Sequence, residues 1–136
     1  MKKDIVGIPE IVEGLLRLYD TIHFEGIWTT QNDRGEKTEI SFIWDRGGNE
    51  EKLLYIETIV IISRPKKAKA GIDVTFRTFS WNAGLLTYEH PIGFLAEVTL
   101  EKFLEDFERA KTIFDALLSA FVQNLPEPEE EVTSDV

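Results

Sequence analysis

Apolar residues return every third or fourth position at the two ends of this chain and every second position between them. Near the start, Ile11, Val12, Leu15, Leu16 and Tyr19 share one side of a helix, with Glu10, Glu13 and Arg17 on the other. Pro9 suits the first helical position, where no N–H is needed, and Glu10 and Glu13 sit at the positive end of the helix dipole. The spacing predicts a helix over residues 9–19. Gly14 inside it is read as a point of close packing.

Alternation then takes over. Ile22, Phe24, Gly26 and Trp28 hold one parity against His23, Glu25 and Thr29, and Ile40, Phe42 and Trp44 alternate with Glu39, Ser41 and Asp45. Residues 53–63 are apolar at both parities, which predicts a central strand covered on both faces. Ile72, Val74 and Phe76 alternate with Asp73, Thr75 and Arg77. A shorter strand over 85–89 meets His90-Pro91, and proline there argues for a sheet edge or a strand end. Turns fall at 31–36, 45–50, 64–71 and 82–84, each containing glycine.

The last pattern is the plainest. Leu100, Phe103, Phe107, Ala110, Phe114, Leu117 and Phe121 form a continuous seam behind Thr99, a helix-capping residue. Leu104, Ile113, Leu118 and Val122 widen the seam beyond what a two-stranded coiled coil uses, so it is read as a face laid on a sheet. The expected fold is α+β over residues 1–126: an N-terminal helix, an antiparallel β-meander of four to six strands, and a long C-terminal helix packed on the sheet. The connections are too short for the crossovers of a parallel sheet. Residues 127–136, with five acids and no base, read as a flexible acidic tail.

Composition narrows the function. Among 136 residues, 25 acids against 15 Lys and Arg give a net charge of −10, half of it in the tail. The absence of cysteine excludes disulfide scaffolds, thiolate metal sites and a cysteine nucleophile. Only His23 and His90 could serve as imidazole bases, and no GxxxxGK[ST], GxGxxG, GxSxG or paired-histidine helix motif occurs. No catalytic residue, cofactor or metal is therefore expected. The N-terminus lacks a signal-peptide pattern and the longest apolar run, Ile59-Val60-Ile61-Ile62, cannot span a membrane, so a cytoplasmic protein is expected. Arg64, Lys66, Lys67 and Lys69 form a basic loop, but without interleaved aromatics and against the net charge it does not predict nucleic-acid binding.

One constellation remains. Antiparallel pairing would gather His23, Glu25, Glu57, Asp73, Thr75 and Arg77 on the second parity, beside Tyr55 and Trp81, while the long helix covers Phe24, Trp28, Phe42, Trp44, Ile56, Val74 and Phe76. A mixed polar and aromatic sheet face suits protein docking. With Glu101, Glu105 and Glu108 of the helix and the acidic tail, it leads to the expectation of a non-enzymatic, acidic protein-binding module. An immunity-like inhibitor or a chaperone has this character, and its partner would be basic. The alternative is a small-ligand-binding domain or weak enzyme with an aromatic pocket between sheet and helix, marked by His23 or Arg77 at its mouth. The surplus of apolar surface on residues 53–62 and the phenylalanine seam leads to a further expectation, a homodimer.

Overall fold

The computed structural model describes residues 6–45, 55–80 and 84–123. Helix α1 (Ile8–Leu18) leads into strands β1 (Ile22–Asn32), β2 (Gly35–Trp44), β3 (Tyr55–Pro65), β4 (Gly71–Ser80) and β5 (Gly84–Phe94). A single 3-10 turn at Leu95–Glu97 precedes helix α2 (Leu100–Gln123). The five strands pair antiparallel in sequence order, so the sheet is a plain meander with β3 at its centre. The expected α+β architecture is the one observed.

Both helices lie on one face of the sheet. Phe103, Phe107, Ala110 and Phe114 of α2, with Ile11 and Leu15 of α1, close over Ile40, Phe42, Ile56, Val60, Val74 and Phe76, all buried. Phe76 stacks on Phe114 at 5.3 Å between ring centres and meets Phe107 at 5.2 Å. Trp44 completes this layer and donates its indole N–H to Thr58 Oγ1 at 2.6 Å, which satisfies the one polar atom its burial would strand. Thr99 caps α2 by accepting the Lys102 amide at 3.2 Å, as its position predicts. Gly14 lets α1 close against Leu100 and Leu104: an added Cβ would lie 3.4 Å from each.

Three details depart from the alternation pattern. Between Phe24 and Gly26 the register with β2 slips by one residue, a bulge at Glu25. Beyond it the parity reverses, so Ile27 joins Phe24 on the helix side and Trp28 turns to the opposite face, across from Glu39. Strand β5 runs on through Pro91 to Phe94, longer than expected, because it is an edge strand whose outer side needs no donor. Strand β3 is central as expected, but among the described residues only one of its faces is covered by helix: Tyr55 is 45% exposed and Glu57, Ile59 and Ile61 are half-buried.

Candidate docking face

The face of the sheet away from the helices is built in cross-strand rows. His23, Ile43, Glu57, Arg77 and Thr87 form one row across all five strands. Gly26, Ser41, Ile59, Thr75 and Glu89 form the next, with Glu25 beside it at the bulge; Trp28, Glu39, Ile61, Asp73 and Pro91 form the third. Tyr55, Phe79 and Leu85 close one end. Large apolar side chains thus stand among carboxylates, with Trp28 53% and Leu85 60% exposed.

Two of the five carboxylates on this face are paired. Arg77 donates from Nε at 3.0 Å and from its terminal nitrogen to Glu57, across the β3–β4 ladder, and Lys37 lies 3.5 Å from Glu39. Glu25 accepts the Ser41 hydroxyl at 3.1 Å, while Glu25, Asp73 and Glu89 have no cationic partner among the described residues. The field shows in two groups. Burial, with the Glu25 and Glu57 charges behind it, pushes the Tyr55 hydroxyl above the usual tyrosine range. Burial, then the neighbouring Glu89 charge, raises the Asp73 carboxyl above its ordinary value.

Asp73 therefore opposes folding when ionised. A carboxyl raised in the folded state releases its proton less readily there than in the unfolded chain, so stability falls as pH rises through the interval between the two values. Asp73→Asn is expected to stabilise the protein by ~0.5 kcal/mol at pH 7, the scale of a like-charge cross-strand contact. The gain should vanish below the ordinary carboxylate range, where Asp73 is protonated in both states; urea denaturation at the two pH values checks both halves.

The residues singled out from sequence divide between surfaces. His23, Glu25, Tyr55, Glu57 and Arg77 come together on the open face as expected, and the bulge adds Trp28 to them, across from Glu39. Glu101, Glu105 and Glu108 do not: they are exposed on α2, which occupies the other side of the sheet, so no flat surface touches both groups. Trp81 and the tail 127–136 lie outside the described residues. His90 faces the helix side, opposite His23, and shares a 2.8 Å hydrogen bond with the Tyr88 hydroxyl. In the basic loop two of the four cations make local contacts: Arg64 lies 3.5 Å from Glu36, and the Lys69 ammonium sits 4.9 Å above the Phe94 ring.

The chain matches no family model, no curated protein and no solved structure. Among the described residues no buried side-chain polar atom lacks a partner, and no three metal-ligating side chains gather. No described helix is long and apolar enough to cross a membrane. A cleft of about 460 Å³ opens between the C-terminal half of α2 and the sheet, lined by Trp44, Ile56, Phe76, Phe114 and Leu118. At its rim Lys111 pairs with Asp115 at 2.9 Å and sits 4.9 Å above the Trp44 ring. Neither His23 nor Arg77 stands at its mouth; both lie on the opposite face of the sheet.

Proposed function

We propose that this protein is a non-enzymatic protein-binding module whose uncovered sheet face receives a basic partner. The observation that carries the reading is the open face itself, with Trp28, Tyr55 and Leu85 exposed among Glu25, Asp73 and Glu89. Exposed aromatics supply the contact area on which binding energy concentrates, and the surrounding charges select the sign of the partner. Glu101, Glu105 and Glu108 contribute through the long-range field that steers encounter, not through contact. Covering a basic surface in this manner is the work of an inhibitor, an immunity protein or a chaperone.

The test is capture of a basic protein on the full chain, repeated with variants. Trp28→Ala combined with Tyr55→Ala, and Glu25→Lys combined with Asp73→Lys, should each weaken capture at least tenfold, and raised salt should weaken it for the unaltered chain. Glu101→Lys with Glu105→Lys should slow association but keep the complex. Capture indifferent to the face variants would overturn the reading. The cleft beneath α2 supports a second one, a small-ligand-binding domain, because its volume and its apolar floor with polar groups such as Lys111 and Asp115 at the rim suit a small molecule. Ser119→Phe, filling the cleft from an exposed helical position, separates the two: loss of function with this variant alone would move the site to the cleft.

A further inference from the structure

The two edges of the sheet are built differently. β5 is guarded: Pro91 interrupts its row of donors, a register shift opposite Ile72 and Asp73 bends it, and α2 packs against it. β1 carries a bulge at Glu25, and past that point nothing among the described residues guards it. Residues 26–32, Gly-Ile-Trp-Thr-Thr-Gln-Asn, contain no charge and no proline in a chain that is 29% charged. They are regularly paired to β2 on one side, and among the described residues no strand lies on the other. Apolar side chains are exposed on both faces of the same strand: Phe24 (43%) and Ile27 (42%) toward the helix side, Trp28 (53%) toward the open side. Gly26 leaves room for the Trp28 ring, which an added Cβ would approach to 3.1 Å.

We infer that β1 pairs with β1 of a second copy of this chain, antiparallel and about a two-fold axis, to make one continuous ten-stranded sheet. Self-pairing is what this edge fits. A strand that exposes apolar groups above and below is covered on both faces only by another strand with the same property. An uncharged segment meets no like charge in its own copy, and it offers nothing that would select the basic partner sought by the open face. A two-fold axis through Trp28 places the two indoles opposite one another, with Ile27 across from Thr29 and Gly26 across from Thr30. Glu25 of each chain then lies across from Gln31 of the other, so no two like charges meet. The inference does not rest on the proposed function. It differs from that reading in one observable sign: two chains of charge −10 repel through solvent, so salt strengthens this association while it weakens capture of a basic protein.

Light scattering and sedimentation of the full chain over a range of concentrations, in 50 mM and 500 mM NaCl, test it. The expected mass is twice 15.6 kDa, with a dissociation constant that falls as salt is raised. Trp28→Lys, at an exposed position, should raise that constant at least tenfold while the circular dichroism stays unchanged. Thr29→Pro and Thr30→Pro form a matched pair. Successive N–H groups of a strand point to opposite sides, so one proline removes an outward donor and spares the ladder to β2, while the other breaks that ladder. The folded member of the pair should be monomeric, and if neither folds Trp28→Lys decides. A 15.6 kDa mass for the unaltered chain at 500 μM in both salts would overturn the inference, as would a dimer that survives Trp28→Lys.

Discussion

Phe107→Ala is expected to cost about 3–5 kcal/mol of folding stability, the loss typical of a large aromatic removed from a packed interior. The position joins the helix layer to the sheet. Its side chain is fully buried, with ring centres of Phe76, Tyr19 and Phe103 at 5.2, 5.8 and 5.9 Å. Those neighbours belong to β4, to the residue that ends α1 and to α2, so the vacated volume cannot be closed by moving one element alone. Against a total of about 5–15 kcal/mol for an ordinary domain, the variant should unfold at much lower denaturant with an unchanged slope. Trp28→Ala provides the contrast: at 53% exposure it should shift stability by only about 0.5 kcal/mol. A loss below about 1 kcal/mol at Phe107 would contradict a seam packed as described.

Gly35→Ala is expected to be the most damaging small change on the surface. Gly35 follows the two-residue turn Asp33-Arg34, whose Arg34 amide donates to the Asn32 side chain at 2.8 Å, and it has φ +144°. Side chains rarely adopt that backbone conformation, and the strain alone is worth about 1–3 kcal/mol. Space forbids the methyl as well. An added Cβ would overlap the carbonyl oxygen of Arg64 and approach Cα of Pro65 to 2.7 Å, so β3 would have to move away from β2. Gly71→Ala, where the nearest atom would be 3.6 Å away, should cost under about 1 kcal/mol. Thermal melting of the two variants side by side measures the difference. Equal melting temperatures would show that the β1–β2 turn relaxes freely.

The sequence was legible where one period ran unbroken. The phenylalanine seam of α2 keeps its spacing from Leu100 onward, and Phe103, Phe107, Ala110 and Phe114 are buried as the spacing demands, while Ile113 and Leu117, read as part of the same face, are 39% and 41% exposed. The open face was legible too, because any register that buries Ile56 and Phe76 puts Glu57 and Arg77 together on the other face; that they lie directly opposite was not fixed by the pattern. Trp28 was not. A bulge adds one residue to one strand, and nothing in Phe-Glu-Gly marks which residue is extra, so its parity was assigned as though the strand were regular. Strand β3 misled for another reason: Ile59 and Ile61 look like interior residues, yet on a broad sheet neighbouring side chains half-bury them without an overlying helix. Pattern also records direction only along one element. It placed Glu101, Glu105 and Glu108 with the sheet-face acids by charge alone, although the sheet lies between them.

The strand order has a kinetic side. Each strand pairs only with its neighbours in sequence, so the sheet can assemble as successive hairpins, each closing a short loop. One event is different in kind. Val6 donates its amide to the Val98 carbonyl at 3.1 Å, and α1 packs on α2, so the two ends of the described chain meet only after nearly a hundred residues have been gathered between them. Until that closure the apolar face of the meander is open to water and to other chains. The α1–α2 contact joins residues far apart in sequence, and a chain whose sheet has formed before its helices dock exposes that apolar face to misassembly.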